Sequence, residues 1–292
     1  MRILVTGAGG QLGRALGEIS DGEWSFTDVA ELDITDEGAV RVFFERERPA
    51  VVVNCAACTD VDRAESGPAE REAAFRVNAD APRILARAAK ATGAAMIHIS
   101  TDFVFDGRVQ RPYVEDDAPA PLNVYGESKL AGERAVLESG VSGAIVRTSW
   151  LYSPWGKNFV KAILGAAAWR DEIRVVADQW GCPTSAASLA GVIARVVATA
   201  AADNWERPAG IYHFCDAGVV SRAAFAEEII RRADLSTRVV PVSTAEFASP
   251  GSARRPSYSA LDTTKITRAF GVTIRPWQEA LADVLRKQHE KC

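Results

Sequence analysis

The chain has 292 residues, 48% hydrophobic and 25% charged, a composition that suits a soluble globular protein with room for one large sheet and an added lobe. Its 34 Lys and Arg against 38 Asp and Glu leave a net charge of −4, which gives no electrostatic basis for binding nucleic acid and favours a small-molecule partner. The apolar run within residues 1–6 is too short for a signal peptide, and no stretch approaches the roughly 20 apolar residues of a membrane span, so the expected location is the cytoplasm, with no membrane partner.

Residues 2–6 form a β-branched run that enters Gly7-Ala8-Gly9-Gly10-Gln11-Leu12-Gly13 and then a helical pattern with Leu12, Leu16 and Ile19 on one face. Strand, glycine turn and helix in this order make a nucleotide-binding opening. Gly7, Gly10 and Gly13 let the backbone turn tightly, and a pyrophosphate can approach the free amides at the helix N-terminus. Residues 24–28 read as the second strand. Asp28 follows the glycine loop by roughly 20 residues, where a carboxylate can bind adenosine ribose hydroxyls and repel a 2′-phosphate. That favours NADH over NADPH, with a plain loop carboxylate as the alternative. Thr35 or Asp36 is placed to cap a helix through Val40, Phe43 and Phe44. Residues 50–54 are a continuous apolar strand covered on both faces, delivering Cys55 to Thr59, of which Ala57 and Thr59 are candidate cofactor neighbours. A helical segment over 69–92, with Pro82 able to bend it, leads to a strand at 94–99.

That strand ends in Ser100-Thr101-Asp102-Phe103, where a hydroxyl is placed either to polarise a substrate carbonyl or to cap the chain. The helix expected over 123–137 carries Tyr125 and Lys129 one turn apart, hence on one face. An ammonium beside a phenol favours the phenolate and lowers its pKa, which suits the pair to proton transfer. An apolar strand at 144–148 closes a nucleotide-binding half spanning 1–149. Residues 150–292 then read mainly as a substrate lobe, with some segments returning to the sheet: helices over 158–168, 187–199, 222–232 and 277–287, strands over 173–177 and 210–214. The aromatic turn 150–155, with Lys157 and Asn158, suits either nucleotide-sugar contact or packing. Arg254-Arg255-Pro256 is either a diphosphate-binding or a solvated loop. Cys55, Cys58, Cys182, Cys215 and Cys292 are odd in number and scattered, so reduced thiols are expected. The C-x-x-C at Cys55 and Cys58 lacks the second pair that zinc requires.

With the strand-Gly7-x-x-Gly10-x-x-Gly13-helix, Thr101 and Tyr125-x-x-x-Lys129 in this order, the chain resembles the extended short-chain dehydrogenase/reductases. Within them it is most similar to the dTDP-4-dehydrorhamnose reductase family. That likeness rests on Leu32-Asp33-Ile34-Thr35-Asp36, residues 100–105 and 121–126, Lys129-Leu130-Ala131-Gly132-Glu133, Arg147-Thr148-Ser149-Trp150, residues 178–184 and Arg255-Pro256. The resemblance implies a Rossmann-like α/β fold, a doubly wound parallel sheet with a smaller C-terminal α/β lobe. It also implies hydride transfer from NADH or NADPH to C4 of a dTDP-linked 4-keto-6-deoxy sugar. Tyr125 would supply the proton, Lys129 would hold the nicotinamide ribose and depress the phenol pKa, and Thr101 would polarise the keto oxygen. Gly10, Gln11 and Leu12 would meet the pyrophosphate, Asp28 the ribose, Asp33 and Ile34 the adenine, Ala57, Cys58 and Thr59 the cofactor, and Asp102 and Trp150 the substrate. Some relatives are metal-bridged dimers, which leaves a homodimer and Mg2+ open, although no carboxylate spacing here compels a metal site.

Two enzyme rivals share the first half. A 4,6-dehydratase needs a second acidic residue after the strand-end Thr, and Phe103 stands there. A 4-epimerase uses the same Thr, Tyr and Lys, and the motifs after residue 147 argue against it. A non-catalytic dinucleotide-binding regulatory subunit is the reading from a different class.

Overall fold

The computed structural model describes residues 1–20, 23–202, 205, 210–249 and 251–289; Cys292 lies outside them. The first half runs β1 (Ile3–Thr6), α1 (Gln11–Ile19), β2 (Trp24–Thr27), α2 (Glu37–Glu47), β3 (Val51–Asn54), α3 (Val61–Ala64), α4 (Pro68–Phe75), a π-helical turn (Arg76–Asp80), α5 (Ala81–Thr92), β4 (Ala95–Thr101), a 3-10 turn (Asp102–Val104), α6 (Val124–Ser139) and β5 (Gly143–Thr148). The second half adds β6 (Leu151–Tyr152), α7 (Phe159–Ala167), β7 (Glu172–Val176), β8 (Trp180–Gly181), β9 (Thr184–Ser185), α8 (Ala186–Ala202), β10 (Gly210–His213), β11 (Val220–Ser221), α9 (Arg222–Arg232), β12 (Arg238–Val242), α10 (Thr244–Phe247), α11 (Thr264–Phe270) and α12 (Trp277–His289).

Six strands form one parallel sheet in the order β10-β5-β4-β3-β1-β2. Alternation along its buried strands divides the core in two. Ile3, Val5, Val51, Val53, Ile97 and Val146 face α1 and α8, while Leu4, Val52, Met96 and Ile145 face α2 and α5. The chain starts at β1, steps outward to β2 and then returns to β3 on the other side. The crevice beyond the carboxyl ends of β1 and β3 is therefore the topological switch point, where such sheets bind ligands. β10 lies beside β5 at the sheet edge, and α8 packs on α1, so the second half also completes the layers around the main sheet. A separate core around Tyr152, Ile173, Phe225, Ile229 and Leu281 supports the small β7–β12 pair and the helices over it.

Asp36 is the N-cap of α2, its carboxylate accepting from the Ala39 amide at 2.9 Å. The helix expected over 69–92 departs from regularity before Pro82, at the π turn, and Pro82 sits in the first turn of α5, where its missing N–H costs least. The wide turn directs Asn78 inward. Its amide accepts from Cys58 N and donates to Cys58 O, both at 2.9 Å, and also donates to Ser128 Oγ at 3.0 Å.

Helix α6 then lies unusually close to its neighbours. A Cβ on Gly126 would stand 2.2 Å from the Phe103 carbonyl oxygen, and one on Gly132 would stand 2.1 Å from that of Asn78. Glu133, 1% exposed, accepts from Arg147 of β5 through both carboxylate oxygens (2.8 and 2.7 Å) and from Ser100 of β4 at 2.5 Å. Gly132→Ala is expected to lower the unfolding free energy by about 1–3 kcal/mol through overpacking. Glu133→Ala is expected to cost about 3–5 kcal/mol, because it leaves the Arg147 charge buried and unpaired. Urea unfolding of both variants checks this, and a wild-type midpoint in either would contradict the packing described.

Candidate functional site

The switch-point crevice holds a cavity of about 280 Å3 lined by Gly7, Gly10, Asp28, Asp33, Ile34 and Ala57, with Cys55 and Val77 also on its wall. Gly7 adopts φ 72°, a left-handed turn that only glycine enters without strain, and its carbonyl accepts from Gly10 N at 3.1 Å. Gly10 is the N-cap of α1 and provides no side-chain cap, so the first-turn amides of Gln11, Leu12 and Gly13 form an anion-seeking helix end. Only the amide of Leu12 serves there, because its side chain is buried in the core, and Gly13 packs against Gly7 and Ala8 rather than lining the cavity. Asp28 accepts from Gly9 N at 2.8 Å and Val29 N at 2.9 Å, which fixes its carboxylate at the cavity wall. The hydroxyl and amide of Thr35 hold the Asp33 carboxyl below its ordinary range. Of the three residues expected after β3, Ala57 lines the cavity, Cys58 is clasped through its backbone by Asn78, and Thr59 is exposed outside that lining.

The candidate catalytic residues gather where β4 ends. Thr101 caps the 3-10 turn, its hydroxyl accepting from Phe103 N at 3.2 Å and donating to Asp102 Oδ1 at 3.0 Å. Asp102 is 2% exposed, and its other carboxylate oxygen has no hydrogen-bond partner among the described residues. Burial pushes its carboxyl up to about 6, opposed by the Ser259 and Thr101 hydroxyls and the Arg222 charge. Tyr125 stands in the first turn of α6, which Asn123 caps, and its ring meets Phe103 edge-on at 5.8 Å between centroids.

The proton chemistry differs from the simple expectation for a Tyr-Lys pair. Burial pushes the Tyr125 phenol up to about 12, with the Thr101 hydroxyl acting against that rise, and the expected depression by Lys129 does not operate in this geometry. Lys129, 2% exposed, instead donates from Nζ to the Ile99 carbonyl at 2.6 Å. Burial pulls its ammonium down to about 8, with the Glu133 carboxylate countering that. At neutral pH the phenol is therefore protonated and the ammonium charged. The Lys129 charge also acts on Cys55 of the cavity wall, which ties this centre to the dinucleotide crevice.

Residues expected to meet the substrate divide into two groups. Trp150 follows β5 with φ 45°, and the Arg222 guanidinium stacks 3.6 Å from its ring centroid, with the Asp102 charge acting on that guanidinium. Arg255 pairs with Asp62 at 2.7 Å and donates to the Ala253 carbonyl at 3.1 Å. Asn158 bonds within the protein on both sides of its amide. Its Oδ1 caps α7 through Lys161 N, and its Nδ2 donates to Gln11 Oε1 at 3.0 Å and to the Ser153 carbonyl at 2.8 Å. These partners engage both ends of its amide and tie the aromatic turn to the glycine loop.

Asp62, Asn78 and Arg222 escape a reading of the sequence alone. Asp62 and Asn78 carry no local signal, because their partners lie 193 and up to 50 residues away. Arg222 does carry one: it is a cation at the first position of a helix, where the macrodipole disfavours positive charge. Among the described residues no cluster of three or more His, Cys, Asp or Glu is placed to hold a metal ion, and no helix is long and apolar enough to cross a membrane.

Residues 1–290 match the family model described as the RmlD substrate binding domain. A dTDP-4-dehydrorhamnose reductase from Streptomyces griseus is 45% identical over 287 residues, covering 97% of this chain and 92% of the relative. Among solved structures, a dTDP-4-dehydrorhamnose reductase from Clostridium acetobutylicum superposes with a TM-score of 0.91 at 39% identity, covering 99% of this chain and 100% of the other. One from Bacillus anthracis, in complex with NADP, gives 0.90 at 39% identity, covering 98% and 99%.

Asp102 provides a test of the electrostatics at this centre. Its carboxyl stays protonated up to about 6 in the folded chain, against an ordinary aspartate value of 3.8. The folded state therefore holds the extra proton between those values. This group's stabilisation is full below the lower value and is lost as pH rises through the higher one, by on the order of 3 kcal/mol. Asp102→Asn is expected to flatten the fall in stability from about pH 4 to about pH 7. The slope that remains includes the share of Asp216, which burial also raises to about 6. Denaturant unfolding at several pH values checks this, and identical slopes in the two proteins would contradict it.

Proposed function

The chain belongs to the dTDP-4-dehydrorhamnose reductase family, within the extended short-chain dehydrogenase/reductases, and on that footing we propose that it reduces the C4 keto group of dTDP-4-dehydro-L-rhamnose to give dTDP-L-rhamnose. The observation that carries this reading is the convergence of Thr101, Tyr125 and Lys129 at the end of β4, beside the wall of the dinucleotide cavity. A dinucleotide held in the cavity would supply the hydride. Tyr125, protonated at neutral pH, donates its phenolic proton to the oxygen at C4 as charge develops there, while Thr101 positions that oxygen. The Lys129 ammonium, held over the strand end by the Ile99 carbonyl, supplies positive charge that stabilises the phenolate left by proton transfer and presents donors to a cofactor ribose.

Gly10, Gln11 and Leu12 bind the pyrophosphate through the helix end, and Asp28, Asp33, Ile34 and Ala57 line the adenosine side. Asp28 carries a preference for NADH. Arg14, whose guanidinium donates to the Gly9 carbonyl at 3.0 Å, places a cation beside that position, so NADPH is expected to serve less well rather than not at all. The relative complexed with NADP makes this preference a matter to be measured on the chain itself. Asp102, Trp150 and Arg255 face the sugar nucleotide in this reading. In this reading the reaction takes place in the cytoplasm.

The test is oxidation of NADH and NADPH with dTDP-4-dehydro-L-rhamnose generated in situ. Turnover is expected with both cofactors, with the higher kcat/KM for NADH, and Tyr125→Phe is expected to lower kcat by about 10²–10⁴-fold with little change in KM. Absence of wild-type turnover on authentic substrate would sink the proposal. A clear NADPH preference would overturn only the role given to Asp28.

A further inference from the structure

Arg222 is a cation in an unfavourable place. It occupies the first position of α9, directly after the Ser221 cap, where the helix end is itself positive. It is partly buried, and burial pulls its guanidinium down to about 10. Among the described residues it has no hydrogen-bond acceptor and no ion-pair partner for its side chain. Its contacts are aromatic: the ring of Trp150 at 3.6 Å and that of Phe159 at 5.1 Å. A guanidinium stacked on indole keeps its N–H edge free for an in-plane acceptor, so the stacking orients the donors without using them.

Two neighbouring charges show what is missing. Asp102 favours the Arg222 charge but makes no ion pair with it, and Arg255 acts against that charge. Arg255 has its own carboxylate, Asp62, which is 54% exposed and therefore an exchangeable partner. Two guanidinium groups that repel each other thus stand near the reaction centre, on a helix start and on a loop far apart in the chain. An anion placed between them would relieve the repulsion, answer the helix end and satisfy the unused donors of Arg222.

We propose that Arg222 is a substrate-binding residue, which with Arg255 clamps the diphosphate of the nucleotide-linked sugar. The inference rests on the reductase reading given above and deepens it. Stacking against Trp150 couples the clamp to the sugar side of the site, so diphosphate binding fixes the indole as well as the nucleotide.

The experiment compares the wild type with Arg222→Met, which keeps apolar bulk over Trp150, and Arg222→Lys, which keeps a point charge. Binding of dTDP and of thymidine to the NADH-loaded proteins is measured by titration calorimetry. Arg222→Met is expected to weaken dTDP by about 10–100-fold and to leave thymidine within about 2-fold, with Arg222→Lys in between. The cofactor's own affinity is expected to stay unchanged in all three. An unchanged dTDP affinity in Arg222→Met would overturn the inference. So would an equal loss for dTDP and thymidine, which would mean that the side chain only props Trp150. A wild type that binds no dTDP would instead overturn the reductase reading, and this inference with it.

Discussion

Helix α6 is held against the sheet by a charge pair that water does not reach. Glu133 projects from the helix, Arg147 from β5 and Ser100 from β4, and the carboxylate joins all three elements in one hydrogen-bonded group. Such a pair adds little net stability over an apolar filling of the same volume, because both charges had to leave water, but breaking it is costly. Its effect is on register. Tyr125, Lys129 and Glu133 follow one another at four-residue spacing on one helix face, so fixing Glu133 over β5 fixes Lys129 under the Ile99 carbonyl and Tyr125 beside Thr101. The close approaches at Gly126 and Gly132 bring the helix near enough for those side chains to reach.

The same closeness sets the electrostatics. Groups drawn into this interface lose water, so neutral forms gain: the phenol of Tyr125 and the carboxyl of Asp102 rise, and the ammonium of Lys129 falls. A raised phenol stays protonated at neutral pH and gives up its proton only when a developing oxyanion and the neighbouring ammonium draw it away, which suits reduction of a carbonyl. Beyond Asp102 two further charges interact: its carboxylate favours the Arg222 guanidinium and Arg255 acts against it.

Much of this was legible locally. The glycine loop, the buried strands, the Asp36 cap and the Tyr125-Lys129 face each follow from a period or a short spacing, and each element formed within a few residues of its expected place. What the sequence hides depends on partners distant in the chain. The π turn carries Asn78 to Cys58 and Ser128, partners 20 and 50 residues away. Asn158 bonds Gln11 across 147 residues of chain. The Tyr-Lys spacing suggests a depressed phenol, yet the depth of burial, which spacing does not encode, decides the direction. Arg222 carried a faint mark in its helix position, and only the stack on Trp150 gives that mark a meaning.

The claim to which all of this leads is that hydride passes to C4 of the sugar within this site. The direct measurement uses a nicotinamide cofactor deuterated at the transferable position, with the dTDP-linked 4-keto-6-deoxy sugar, and reads the product by mass spectrometry and proton NMR. The account predicts a single deuterium, at C4 of the reduced sugar, with loss of the C4 proton signal. Product carrying no deuterium, or deuterium at another carbon, would contradict it.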